Sequence, residues 1–425
     1  MHIELQKTND FEDLSKLHGV VISKKSGDLI PNNEVVTLHC SSCGAEVMVA
    51  ANEDGLIKCP WCRHELSVDD SVSNSAAPDL ILPFRIKKSD AYEKIKQYIK
   101  KKKFFADGEI AKTFKEENIR AIYLPYLIVD ANMHVSANGK GRKVVATNLD
   151  TSDATVLYDV DAYELEREID LYINDLPLIA SAKYDDSTTT AATNNIISSI
   201  LPFDTENAVD WDARLLKGFS AEKRNVGAES MRSNAKKQLM EIAKQQLRNS
   251  ASEYDKDLWT NCKIEQRGIH WKTIYLPVWL YGYYVKKDKN KILRYIAVNA
   301  RSGKTIGNIF ESKKKEWGLA IGVPLALMAL IVVLFLLPDL DSDWAGGLIG
   351  ALIVVIVVWW ALVLFWMDRV SERYTQKQSV YDYVSKTDVS LNKRKSTDNY
   401  IRKDSNVMFI GHEGIAGKIE WLEEK

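Results

Sequence analysis

Two stretches of the chain are apolar without a break, while most of the remainder alternates. Residues 317–338 (WGLAIGVPLALMALIVVLFLLP) and 344–367 (WAGGLIGALIVVIVVWWALVLFWM) carry no charge. As a helix the first would be about 33 Å long, matching the hydrocarbon layer of a bilayer. The pattern predicts a C-terminal two-helix transmembrane hairpin closed by the acidic turn 339–343 (DLDSD). Trp317, Trp344 and Trp366 stand at its ends, where indoles favour the headgroup region. Lys313, Lys314 and Lys315 precede it, and Arg369, Arg373 and Lys377 follow. By the positive-inside rule the expectation is a multi-pass inner-membrane protein with both termini cytoplasmic and the lipid bilayer as a partner. Gly346 and Gly350, four apart, would let a second helix approach closely and so admit a homo-oligomer.

Helical periodicity appears twice before that. Tyr92, Ile95 and Ile99 share one face of a segment from Asp90 to about Phe105, and Met231, Ala235, Leu239 and Ile242 form a second stripe. Both segments belong to an internal repeat. Ile81-Leu82-Pro83-Phe84 recurs as Ile200-Leu201-Pro202-Phe203, and Ile122-Tyr123-Leu124-Pro125 as Ile274-Tyr275-Leu276-Pro277. In each half the order is ILPF, helix, IYLP and strand, with prolines at strand starts. The predicted fold class is α+β: an N-terminal zinc ribbon, a duplicated α+β cytosolic domain and the hairpin. The expected boundaries are 1–34 for an N-terminal segment, 35–66 for the ribbon and 67–78 for a polar linker. The repeats take 79–199 and 200–312, the spans 317–338 and 344–367, and a cytoplasmic tail 368–425.

Cysteine usage singles out the ribbon. Of five cysteines, Cys40, Cys43, Cys59 and Cys62 form two CxxC pairs, and Cys262 stands alone. Paired knuckles at this spacing supply four thiolates to a tetrahedral metal, and Ala45 to Val49 alternates as a strand between them. The expected cofactor is structural Zn2+. Iron is the other metal that tetrahedral sulfur suits. Four thiolates close the coordination shell, which argues against a catalytic zinc, and His39 and His64 are read as bystanders.

The CxxC pairs with CPWC, the ILPF and IYLPY entries, LPFD, LLKGFSAEK, IYLPVWLYGY, AVNARSGKTIGN and the apolar hairpin together resemble the bacterial TFIIB-type zinc-ribbon membrane proteins, over roughly residues 35–370. The resemblance implies zinc at the four cysteines. Some members of that family partner phage-shock-protein-A-like membrane-stress proteins, which implies an adaptor role.

Charge is balanced, with 57 Lys plus Arg against 58 Asp plus Glu, so any charge specialisation is local. Residues 85–115 hold 11 basic side chains against 4 acids. Within them Lys100, Lys101, Lys102 and Lys103 are candidates for contact with an anionic surface, against the plainer reading of a solvated helix face. Gly303-Lys304-Thr305 ends like a phosphate loop, but Val298 stands where its first glycine belongs. With no catalytic constellation, the expectation is no enzyme but a membrane-anchored interaction or scaffold platform, with Trp61 and Arg63 as exposed contact residues beside the metal. The alternative is nucleic-acid binding through the ribbon or the basic helix. The ribbon's few basic residues, Lys58 and Arg63, stand against Glu46, Glu53, Asp54 and Glu65 and make nucleic acid the weaker partner.

Overall fold

The computed structural model describes residues 13–27, 33–52, 57–66, 76–102, 110, 114–150, 155–181, 200–287, 290–307 and 388–409, together with short helical pieces within 322–332 and 354–360. Its framework is two 32-residue strands, β7 (Ile119–Asp150) and β11 (Lys256–Lys287), which run antiparallel to each other along nearly their whole length. Strand rather than helix therefore dominates, and the expected pair of α+β units gives way to one 12-stranded sheet.

Each long strand has a second edge, and several short elements share it. On β7, β8 (Thr155–Ile179) pairs from Asp150 to Tyr126 and then stops. The edge it vacates is taken in parallel by β10 (Ser220–Glu222), with Ser220 opposite Ile122. Antiparallel to β10 lies β3 (Glu46–Ala50), and beyond it β2 (Val35–His39), so the ribbon's hairpin continues the main sheet. On β11 the outer edge is occupied in turn by β12 (Asn290–Asn299), β6 (Leu80–Ile81) and β1 (Gly19–Ile22). Of the remaining strands, β4 (Ile57–Lys58) and β5 (Glu65–Leu66) form a separate pair, and β9 (Val209–Asp210) borders β6. At the margins, β13 (Thr305–Gly307) borders β12, and β14 (Asp388–Phe409) pairs with β8.

Internal symmetry follows from the register. Leu124 pairs with its own repeat counterpart Leu276, Tyr123 with Pro277 and Pro125 with Tyr275, so a pseudo-twofold axis passes through the leucine pair. It relates β6 beside Ile274 and Tyr275 to β10 beside Ile122 and Tyr123. It also relates the helix after each: α2 (Lys88–Lys102) and α3 (Ala228–Asn249), with α1 (Lys24–Gly27) a single turn near the N-terminus. In space, then, Ile81 matches Ala221 rather than its repeat counterpart Ile200. The second ILPF serves another purpose: the buried Asn299 donates to the carbonyls of Ile200 and Pro202, and Arg301 pairs with Asp204 at 2.6 Å. This makes the Asn299–Lys304 segment a structural hairpin turn, with Gly303 at φ 77°.

Of the predicted helical stripes, the second is buried throughout, while in the first Ile95 and Ile99 are buried and Tyr92 is half-buried. Ala91, Ile95 and Ile99 of α2 pack with Trp279, Tyr281 and Ile296, while Met231, Ala235, Leu239 and Ile242 of α3 pack on Val129, Ala131, Met133 and Val135 of β7 and on Leu171 and Ile173 of β8. Alternation along β7 sends Asp130, Asn132 and His134 to the opposite face. There Lys272 holds Asp130 at 3.0 Å, and His134 meets Asp170 at 2.8 Å.

The transmembrane hairpin expected at 317–338 and 344–367 is overturned: among the described residues no helix is long and apolar enough to cross a membrane. A span needs about 20 continuous helical residues, and no described helix combines that length with the apolarity a bilayer requires. Most of 317–367 lies outside the described residues. The expected multi-pass inner-membrane placement with cytoplasmic termini rested on this hairpin and falls with it. The linker reading of 67–78 falls mostly outside the described residues, as do the tail residues other than 388–409.

Candidate metal centre

The metal loops grow from strand ends. Cys40 follows β2 and Cys59 follows β4, and each begins a tight knuckle. In the first, the Gly44 amide donates to the Cys40 carbonyl at 2.8 Å and the Cys40 amide to Ala45 at 2.8 Å. The second repeats the pattern: Arg63 donates to Cys59 at 2.9 Å and Cys59 to His64 at 2.8 Å. Both knuckles need a left-handed residue just after the second cysteine, supplied by Gly44 at φ 71° and, at greater backbone cost, by Arg63 at φ 70°.

The knuckles face each other, and the four Sγ atoms lie within 4.8 Å of one another. Cys40 and Cys62 are 3.5 Å apart, and Cys43 and Cys59 3.7 Å. A tetrahedron of sulfurs around a metal at about 2.3 Å has edges of about 3.8 Å, so these spacings suit a metal ion held by four cysteines. Among the described residues no other His, Cys, Asp or Glu group is gathered in this way. His39 and His64 are exposed and outside the group. The thiol electrostatics show why a cation belongs here. A hydrogen bond from Cys59 draws Cys43 down to about 5, while burial pushes Cys40 up to about 11. Cys59, holding the shared proton in a buried site, is raised furthest. Four thiolates this close repel one another, and a bound cation removes that cost.

Contrary to the expectation of an exposed aromatic, Trp61 is 2% exposed. Its ring meets Tyr295 of β12 edge-on at 5.2 Å, and with Cys40, Cys59 and Cys62 it belongs to the same core as Leu124, Leu276, Val278 and Leu280. Sequence could not foresee this, because Tyr295 lies in the second repeat. Its only trace is an indole inside the CPWC knuckle, too small a unit to bury one by itself. A second attachment, also illegible from sequence, is β10: Lys223 donates from its amide to the Glu46 carbonyl at 3.1 Å, and its ammonium lies 3.4 Å from the Glu46 carboxylate.

The basic candidates stand elsewhere. Lys100 and Lys101 are exposed on α2, on the side away from Ile95 and Ile99; Lys102 ends that helix, and Lys103 lies outside the described residues. Cys262 is exposed on β11, remote from the cluster.

No family model matches this chain, and no solved structure matches it. The chain is similar to the uncharacterised protein YdjG of Bacillus subtilis (strain 168), 25% identical over 267 residues that span 61% of this chain and 72% of the relative.

Proposed function

We propose that this chain is a non-catalytic interaction platform in which structural Zn2+, held by Cys40, Cys43, Cys59 and Cys62, fastens the ribbon to the sheet. The observation that carries the reading is the closed, all-cysteine shell at tetrahedral spacing whose knuckle packs into the sheet core through Trp61. With every ligand position filled by protein sulfur, no position is left for water, so the metal's contribution is to folding. A small ribbon that cannot bury its own core gains roughly 10 to 16 kcal/mol of apparent binding energy from such a site. The surrounding long sheet offers extended, rigid surface and, among the described residues, no constellation of nucleophile, base and oxyanion donors. The partner implied by the family resemblance, a phage-shock-protein-A-like protein, is the first to try.

The metal reading is tested by elemental analysis of the purified chain, which separates zinc from iron. One zinc per chain, lost in the Cys59→Ser, Cys62→Ser variant, is expected; iron or no metal would sink it. The platform reading is tested by crosslinking and co-purification with both forms. A protein partner recovered by wild type and lost from the variant supports it, and enrichment of nucleic acid instead would replace it.

A further inference from the structure

We propose that the groove between α3 and the outer edge of β11 is a docking site for an extended, acidic peptide segment of a partner protein, added as a strand to the sheet; this rests on the platform reading. Three observations converge there. First, among the described residues the edge has no strand partner. On that side of β11, β12, β6 and β1 take successive stretches down to Gly268, and among the described residues no strand pairs with the outer edge of 256–267. Chain-own pairing stops for a visible reason. At Gly19, φ 71°, the N-terminal segment leaves the edge and crosses to the other face, where Asn132 donates to the carbonyls of Ser15 and Leu17 at 3.1 Å. The crossing runs so close to Gly268 that a Cβ there would sit 2.2 Å from the Leu17 carbonyl oxygen. Between the two bulges of β11 is the regular run 261–266, long enough to offer backbone donors and acceptors to an added strand.

Second, the edge borders a cavity of about 400 Å³ between α3 and the sheet. Met240, Ile264 and Trp271 contribute apolar lining, and Val20, 55% exposed, stands at its β1 end. A strand laid on the edge directs alternate side chains into this space. Third, the charged residues of the lining are Arg232 and Lys236, one turn apart on α3, with no carboxylate. Arg232 meets Glu229 at 2.9 Å, but on an exposed helix face where such a pair is weak. Charge complementarity therefore selects an acidic peptide with apolar residues at alternate positions. The parallel four-residue strand β1 on the adjoining stretch is the chain's own example of addition to this edge.

The test is selection of a displayed library of random ten-residue peptides on the full-length, zinc-loaded chain. Enrichment of sequences alternating apolar and acidic residues is expected. A synthetic lead should bind the Arg232→Glu, Lys236→Glu variant about ten-fold more weakly, and its lysine-for-glutamate counterpart should prefer that variant. Methylating alternate backbone nitrogens of the lead should abolish binding, because a strand pairs through them. Both substituted positions are exposed, and unchanged zinc content and circular dichroism verify the variant's fold. No enrichment, or leads indifferent to both charge reversal and N-methylation, would overturn the proposal. If the groove fails while a partner still co-purifies with wild type, the platform reading stands; if no partner is recovered either, both are lost.

Discussion

Trp61 joins the metal loop to the long sheet through one side chain. Its indole is buried against Tyr295, so Trp61→Ala should cost about 3 to 5 kcal/mol, as large aromatic truncations in cores do, while leaving all four thiols in place. Urea unfolding paired with metal analysis checks this; lost metal at full stability would contradict it. Asp79 is the other residue on which distant segments converge. One of its carboxylate oxygens accepts from Ser26 at 2.9 Å, from the Thr273 amide at 2.8 Å and from the Ser23 and Thr273 hydroxyls. Burial raises its pKa, but the hydrogen bonds from Ser23, Thr273 and Ser26 outweigh that and hold it below the usual carboxylate range. A depressed folded value means the contribution is complete above the unfolded pKa, near 4, and fades as pH falls through the folded value. Asp79→Asn should therefore cost roughly 1 to 3 kcal/mol at pH 7, with the gap from wild type closing below about pH 4 in parallel urea titrations.

Among the elements, β10 has the largest structural consequence for its size. Three residues, Ser220–Glu222, carry the pairing from β7 to the ribbon hairpin. Ala221→Pro removes a ladder donor in the middle of the sheet. Hydrogen exchange should then accelerate in β2 and β3 while β8 keeps its protection; equal acceleration everywhere would show that β10 is no separate link. Elements with strong periodicity were legible beforehand: the buried stripes of α2 and α3 are the ones that spacing marks, because burial of a helix face demands a 3.6-residue period. Strand β10 was not legible, since three residues have no period and its Ser, Ala and Glu have little strand preference. Nor was the full length of β7, whose 138–143 stretch (NGKGRK) has two glycines and no apolar side chain but continues as strand. Gly139 and Gly141 there leave room for Trp259 and Tyr254, whose atoms would lie 2.8 and 2.7 Å from an added Cβ.

At the scale of the molecule, two of the sheet's four cores contrast. One combines the cysteines, Trp61 and the leucine pair on the pseudo-twofold axis, and the other joins α3 to β7 and β8 without any cysteine. Removing metal with a chelator should therefore release the β4–β5 knuckle and weaken the first core while the second stays folded. The check is hydrogen exchange before and after chelation, with α3 as the reference; complete loss of protection in α3 would mean a single cooperative unit. The sequence by itself determined what is local. Cys40, Cys43, Cys59 and Cys62 come together because a CxxC knuckle and a short hairpin are enough to form them, and the IYLP repeat announces two related halves. Tertiary structure alone decided the rest: that the two IYLP strands pair about Leu124 and Leu276, that the ribbon is sealed by a tyrosine from the second repeat, and that among the described residues an edge of β11 beside α3 has no strand partner. It also overturned the membrane hairpin: among the described residues no helix is long and apolar enough to cross a membrane. The physical reason is the same throughout. Periodicity and spacing report the surroundings one segment needs, while pairing and burial between distant segments depend on which partners the whole chain brings within reach.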